Sequence, residues 1–586
     1  MAEIALLTAI AILFVVAGPL LLIGKSVRLP VVPSLIVAGL IVGQLGLIDE
    51  ALLLELARLG IAFLVFTFSL NINTEQIRTV VTNTEVVAIV QALVLGALGI
   101  LLTLAIGIVL DFPIFADVGL DEALTIEQAL FVGIAAALSS TIVGTILFTR
   151  PKTEIVHDDL ANQIDSVNDF LAVLLLLVVS AGAFALDPIA TQLGYGVILF
   201  VAAIVINRYL FGFIEQLADG SDEAMLISIV AILIIFLAVA ELLDTSIVVG
   251  AFAAGLAIRG NPVDYSEVFN GLTSIRQFFV GLFFASVGTL VTLPAPTAVI
   301  ADPAAALAPF IPVAAIAIGL VILASVVKPI VTVALLVYSG YDRRSATLAG
   351  FELDHVGVFS VIVAIEALIL GFLIEPVFEA IILAAALSMI LSTVTHIFDD
   401  EIYRMMAQNG WLGRPYHDVD DWNTVPADIS DHVVIVGYGR QGRRLVDFCK
   451  EIDQPYAVIE NNPEALPDLR EECDAYVLGD ALETETAVVC NLRAARLIIS
   501  TADAKPITDH FLKYSDSVDV IVRTRELPMA AELLEKGAIY VIIPDLLAAD
   551  LLAGNLRALL NGEHAPKELQ EQTLEELSRE REAGVE

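Results

Sequence analysis

Cysteine is nearly absent from this chain: of 586 residues only Cys449, Cys473 and Cys490 are cysteine, all in the last quarter and without metal-like spacing. That excludes a disulfide scaffold or a zinc framework and leaves reduced thiols on a cytosolic side as the expectation. Basic residues are scarce as well, 30 Lys and Arg against 69 Asp and Glu, for a formal net charge of -39. Such a balance repels phosphate backbones, so no nucleic acid is expected as a partner. Acids crowd both the connecting loops and the C-terminal part, a surface suited to concentrated salt that screens its self-repulsion. A halophilic source is the expectation, and an ordinary acidic protein the alternative. The first 25 residues lack a basic n-region and a small-residue cleavage site, so they read as a first span and not as a removed signal peptide.

Hydrophobic residues fill what remains, 58% of the chain. Apolar runs of about 20 residues, the length that crosses a hydrocarbon core of ~30 Å, recur to about residue 398 and mark about thirteen spans. After residue 400 charges appear every few positions and short apolar runs alternate with helical patterns. The expected fold is therefore a polytopic all-α membrane domain (1–400), a linker (401–429), a cytoplasmic α/β Rossmann-like domain (430–545) and an acidic helical tail (546–586). Lys25, Arg28, Arg78, Arg150, Arg208, Arg343 and Arg404 fall on alternate loops or span ends, whereas opposite loops such as "DFPIFADVGLDEALT" carry no Lys or Arg. By the positive-inside rule the N-terminus lies outside and the soluble domain is cytoplasmic, in agreement with an odd span number. "PSLIVAGLIVG" at 33–43 echoes "TSIVVGAFAAG" at 245–255, seven spans later and so of opposite topology, the pattern of an inverted repeat; chance similarity of small aliphatic segments is the alternative.

Ionisable groups are costly in a bilayer, which makes three intramembrane places candidates for function. In "NQIDSVNDFLAV", Asp165 and Asp169 sit four apart on one helical face with Asn168 beside them. A desolvated carboxylate there has its proton affinity raised to where proton and cation compete, the simplest basis for antiport. A helix-capping role for Asp169 is the alternative. Lys328 in "ASVVKPIVTVAL" is the only basic residue well within a span. Buried, it needs a carboxylate or helix-end partner; otherwise it snorkels to the inner surface. Pro329 beside it is expected to break the helix. Polar interruptions at "ALSSTIVG" (Ser139, Ser140, Thr141) and "FELDHVGVFS" (Asp354, His355) fall in spans five and twelve, again seven apart, and suggest broken, crossed helices. An intact helix whose serines bond back to its own carbonyls is the alternative reading.

The stretch "HVVIVGYGRQG" at 432–442 contains VGYG, the core of a potassium-channel filter, but no pore helix or spans surround it. Strand, helix and second strand surround it instead, and the frame reads as a dinucleotide fingerprint. Gly437 would make the tight turn, Gly439 admit a pyrophosphate and Gly442 allow helix packing, with phosphate at the helix N-terminus. Glu460 ends the second strand, where an acid can accept from ribose hydroxyls. No catalytic constellation accompanies it, so a regulatory sensor is favoured over an enzyme such as a membrane-anchored dehydrogenase.

In order along the chain, "ALSSTIVGTIL", "VNDFLAVLLLL", "VVGAFAAGLAI", "FFVGLFFASVGTLV" and "LAGFELDHVGVFSVIVA" resemble the landmarks of the monovalent cation:proton antiporter-2 family. Within it, the Kef-type potassium efflux systems, whose membrane domain is similar to that of sodium-proton exchangers, share a C-terminal TrkA-N (regulator of potassium conductance) domain after thirteen spans. The resemblance implies a dimeric elevator-type antiporter in the lipid bilayer of the cytoplasmic membrane, exchanging K+ or Na+ for protons, with Asp169 and its neighbour Asn168 at the cation site. Where many relatives have "GEF", this chain has "GVF" at 357–359, and Asp354 partly replaces the lost acid. The Asn168-Asp169 pair is similar to that of electroneutral exchangers. In the TrkA-N domain the resemblance implies NAD(H) or an adenine nucleotide as regulatory ligand, with Arg440, Gln441, Asp480 and Thr501 beside the glycines. A nucleotide-gated cation channel is the alternative.

Overall fold

The structure, a computed structural model, describes residues 2–26, 29–46, 48, 50–70, 83–110, 124–139, 156–182, 185–218, 221–258, 266–294, 300–408, 423–503, 505–525 and 527–561. Two compact units emerge, one almost wholly helical and one built on a parallel sheet.

In the helical unit, eight helices among the described residues are long and apolar enough to cross a membrane, from Leu7–Ser26 to Glu375–Ile397. Four apolar helices are shorter: Val31–Gln44, Ile126–Ala137, Ile247–Leu256 and Val358–Ile369. These short ones fall in the expected second and ninth, and fifth and twelfth, spans, the matched positions where an inverted repeat places discontinuous helices. Ala2–Ser26, Val31–Gln44, Glu50–Ser69, Ile247–Leu256 and Ser266–Thr289 pack on one another. Asn83–Leu110, Ile126–Ala137, Phe310–Ile322, Val358–Ile369 and Glu375–Ile397 form a second group. Leu22, Leu101, Ile108, Ile227 and Ile234 face outward, while the polar groups Asp165, Asp169, Lys328 and Asp354 are buried. A helix bundle solvated by hydrocarbon has this inside-out pattern, because lipid tails accept apolar side chains and reject charges.

One expectation is corrected here. Pro329 does not break its helix: Phe310–Ile322 runs through a π-helical turn, Leu323–Val327, directly into Lys328–Tyr338. Proline lacks an N–H and its ring crowds the carbonyl four residues back, and the wider π turn absorbs both demands without unwinding the chain. A second π turn, Ile206–Leu210, lets Asn207 reach sideways and donate to the carbonyls of Leu256 (3.1 Å) and Ile258 (3.0 Å), closing the C-terminal end of the short helix Ile247–Leu256.

The second unit contains strands β1 (Val433–Val436), β2 (Tyr456–Glu460), β3 (Tyr476–Leu478), β4 (Leu497–Ser500), β5 (Asp519–Arg523) and β6 (Tyr540–Ile542). All pair in parallel, in the order β3-β2-β1-β4-β5-β6. Runs such as "HVVIV" and "LIIS" lack alternation because a parallel sheet is covered by helices on both faces. Two separate apolar clusters, one around Val434, Ala457 and Val520 and one around Ile435, Val458 and Leu469, are those two covered faces. The order reverses direction between β1 and β4, and in such sheets ligands bind in the crevice at that switch point. The helix Pro544–Leu560 follows β6; the charged stretch from 562 onward lies outside the described residues.

Candidate functional site

The polar centre of the helical unit is built where two chains of helix stop short. Helix Ile126–Ala137 ends at Leu138, whose backbone turns extended (φ -77°, ψ 130°). Helix Arg343–Glu352 also stops short, the amides of Leu353 and Asp354 donating to the Gly350 and Phe351 carbonyls in a tightened turn, and after the non-helical residues 353–357 the span resumes as Val358–Ile369. Each stop leaves unpaired carbonyls and a negative dipole end inside an apolar bundle, which must be satisfied there.

Lys328 meets that demand. Its ammonium donates to the Leu138 carbonyl at 3.3 Å and to the His355 carbonyl at 3.0 Å, and the side chain is fully buried. It therefore caps both broken ends and does not snorkel to a surface. The halves also cross directly: Gly357 N–H donates to the Leu138 carbonyl at 3.1 Å. Ser360 adds bonds to Ala135 and Leu138 carbonyls. The crossing is tight enough that a Cβ on Gly357 would stand 2.6 Å from the Ser139 carbonyl group.

Ser139, the next residue, links this crossing to helix Val156–Val179. Its hydroxyl donates to Asp165 Oδ1 at 2.7 Å and accepts from Asn168 Nδ2 at 3.0 Å. Asp165, Asn168 and Asp169 are each about 1% exposed. Asp169 lies more than three turns inside its helix, so it caps nothing. Its Oδ1 and the Oδ1 of Asn168 have no hydrogen-bond partner among the described residues. Asp165, Asn168 and Asp169 thus present buried oxygens on one helix beside the broken one. Ser140 and Thr141 lie outside the described residues. Asp354 is buried in the 353–357 break, its backbone carbonyl accepting from Ser325 Oγ at 2.9 Å.

Several participants carry no individual signal in the sequence. Ser325, Ser360 and Ser388, which accepts from Val356 N–H at 3.1 Å, are serines in apolar helices. Gln128 clamps the start of one half-helix to the turn beyond the other, donating to the Phe372 carbonyl and accepting from Ile374 N–H. A polar residue recurring at helical spacing toward the breaks was the available cue.

In the sheet unit, the expected glycine turn follows β1 beside the β1/β4 switch point, while Glu460 and Asp480 stand at the ends of the neighbouring β2 and β3. Gly437 has φ +92°, which only glycine adopts without strain, and a Cβ on Gly442 would lie 2.1 Å from the Gly437 carbonyl oxygen. Gly439 is open, with nothing within 4 Å of where a Cβ would stand, and Arg440 begins helix Arg440–Glu451 exposed to solvent. Gln441 is half-buried with Oε1 unpartnered among the described residues. Glu460 ends β2, its carboxylate accepting from the amides of Tyr438 (2.6 Å), Asn461 (2.9 Å) and Asn462 (2.8 Å) and so fixing the glycine turn. Thr501 lies across the crevice and donates to the Val436 carbonyl at 2.9 Å. Asp480 is buried after β3, where it accepts from Leu482 N–H at 2.9 Å.

Crossed half-helices enclosing buried carboxylates, on a chain that also carries a Rossmann-type sheet, define the class: a secondary transporter with a regulatory domain. A family model described as the sodium/hydrogen exchanger transmembrane domain matches residues 10–398, and the TrkA-N domain matches 433–544. The chain belongs to the sodium/hydrogen exchanger family. It is a multi-pass membrane cation/proton antiporter with a TrkA-N domain, and not an enzyme. Among curated relatives it is 26% identical over 565 residues to the putative cation/proton antiporter YbaL of Escherichia coli K12, covering 92% of this chain and 95% of that one. It is 25% identical over 539 residues to the putative K(+) efflux antiporter KefB of Alkalimonas amylolytica, covering 88% and 75%. Among solved structures, the sodium proton antiporter MjNhaP1 of Methanocaldococcus jannaschii aligns over 71% of this chain and 100% of its own, with 14% identity and a TM-score of 0.48.

Proposed function

We propose that the protein exchanges K+ or Na+ for protons across the cytoplasmic membrane, with Asp169 and Asp165 as the alternating ligands of cation and proton and Asn168 and Ser139 completing the site. The observation that carries this reading is the pair of carboxylates one helical turn apart, each about 1% exposed, tied through Ser139 to the end of a broken helix. Two desolvated carboxylates so close cannot both stay charged unless something positive lies between them. A bound cation or a proton meets that need equally, so the arrival of one displaces the other. Lys328, whose ammonium lies in the field of Asp165 and Asp354, supplies the remaining positive charge and holds the crossing together.

Alternating access follows if the helix group that carries the crossing moves as a body against the group around Val31–Gln44 and Ser266–Thr289, an elevator motion. The basic loops support thirteen spans with the N-terminus outside and the TrkA-N domain cytoplasmic, and the chain works as a homodimer. NAD(H) or an adenine nucleotide, lying over Gly437–Gly442, sets the activity. Reconstituted into proteoliposomes, the protein should dissipate a preset pH gradient on addition of K+ or Na+. Asp169→Asn should abolish the response; undiminished exchange in that variant removes Asp169 from the site.

A further inference from the structure

Gln91 lies fully buried in helix Asn83–Leu110, and neither its amide oxygen nor its amide nitrogen has a hydrogen-bond partner among the described residues. A primary amide offers both an acceptor and donor hydrogens, so leaving all of them unmet inside a fold is costly. Native proteins keep such a group where a water or an ion completes it. The helix shows which way the amide points. Val86, Leu93 and Leu101 are exposed, while Gln91, Leu95, Gly99 and Thr103 form one buried stripe. The helix packs on Ile126–Ala137 and on the π turn Leu323–Val327 that leads into Lys328.

The depth of Gln91 follows from the glycine contacts between its helix and Ile126–Ala137. A Cβ on Gly107 would stand 3.5 Å from Leu124, and one on Gly99 would stand 2.7 Å from Gly133, so the two helices run antiparallel. Carried on by about two turns, that register sets Gln91 level with Ser139, just past Ala137, where the partner helix has already ended. Ser139 is the residue whose hydroxyl joins Asp165 to Asn168. The amide is thus aimed at the break, on the level where Ser139 meets Asn168. Asn168 Oδ1 and Asp169 Oδ1 are likewise without a hydrogen-bond partner among the described residues.

We propose that Gln91 is a further ligand of the transported cation, its amide oxygen joining the shell from a second helix. Asp165 and Asp169 remain the charged ligands, as proposed above, and Gln91 acts only if they do. A carboxylate serves cation and proton alike, whereas a neutral amide takes up no proton in the working pH range. Gln91 therefore adds to the hold on the cation and nothing to the hold on the proton, and so sets the pH at which one displaces the other. Its neutral oxygen also pulls less on a small ion than a carboxylate oxygen does, which favours K+ over Na+ relative to a site made of carboxylates alone. A water would complete the amide equally well, but cation affinity would then be indifferent to it.

Exchange by the full chain in proteoliposomes, read as dissipation of a preset pH gradient, gives half-saturating K+ and Na+ concentrations at each pH. Gln91→Leu, which keeps the bulk and removes both polar atoms, should raise them about tenfold, the worth of one lost contact to a charged group. At a fixed cation concentration the pH of half-maximal exchange should then rise by up to about one unit, because a weaker cation displaces the proton only where protons are scarcer. Gln91→Glu, of the same shape, should shift the preference toward Na+, and it carries the test if the leucine variant folds poorly. In detergent, K+ or Na+ should raise the melting temperature of the wild type, raise that of Gln91→Leu less, and leave that of Asp169→Asn where it was. Wild-type half-saturating concentrations and pH profile in Gln91→Leu and Gln91→Glu, the outcome for an amide completed by water, would overturn the inference. Stabilisation by cations that survives Asp169→Asn would instead remove the Asp165–Asp169 reading, and the role of Gln91 with it.

Discussion

Lys328 shows how one side chain can hold a membrane protein's broken helices together. Removing its ammonium orphans the His355 carbonyl in an apolar interior, at a cost of about 1–3 kcal/mol, and takes one donor from the Leu138 carbonyl, which keeps Gly357 N–H. Lys328→Met should therefore lower the melting temperature of the detergent-solubilised protein by several degrees and abolish exchange. A stable variant without exchange would show that the charge, and not the capping, is what transport needs. Outside the membrane, His432 makes a different prediction. Its Nε2 lies 2.9 Å from the Cys490 carbonyl, and burial pushes the imidazole below its ordinary value of 6.5. The unfolded chain then binds the proton more readily than the folded one. The stabilising effect is complete above about pH 6.5 and is lost as pH falls from there toward the lower folded value. Hydrogen exchange of the sheet strands between pH 7.5 and 5 should reveal progressive loosening, and His432→Gln should flatten that slope.

At the scale of elements, the crossing of half-helices depends on close backbone approach. Gly357→Ala would put a methyl 2.6 Å from the Ser139 carbonyl group, and backbone on both sides leaves it nowhere to go. Strain of this kind costs about 1–3 kcal/mol. The variant should insert and fold but lose most of its exchange in proteoliposomes, because Ser139, which positions Asp165 and Asn168, must shift. Exchange at wild-type rate would mean that the site does not depend on the crossing. The π turn ahead of Lys328 is the companion element, keeping the helix continuous past Pro329 while Ser325 reaches the Asp354 carbonyl.

For the whole molecule, the question is whether the sheet unit governs the membrane unit. Gly442→Ala places a methyl 2.1 Å from the Gly437 carbonyl oxygen and so wrecks the phosphate turn without touching any membrane residue. Nucleotide binding, measured by calorimetry with NAD(H), AMP and ATP, should be lost. Cation/proton exchange should persist but no longer respond to nucleotide. Loss of exchange without any loss of nucleotide binding would reverse that assignment.

The sequence alone determined the broad plan. Length of apolar run separates spans from soluble chain, and a glycine turn in register with strand, helix and acid marks the Rossmann-like start, because both signals are local. Asp165, Asp169, Lys328 and Asp354 were legible for the same reason: a charge in an apolar run stands out whatever its partners are. The partners were not legible. That Lys328 caps Leu138 and His355, that Ser139 bridges Asp165 and Asn168, and that Gln128 ties the start of one half-helix to the turn beyond the other are contacts between residues 26 to 246 positions apart. Only the tertiary structure decides them, because a hydrogen bond depends on which helix faces lie within about 3 Å, and chain order carries no such distance.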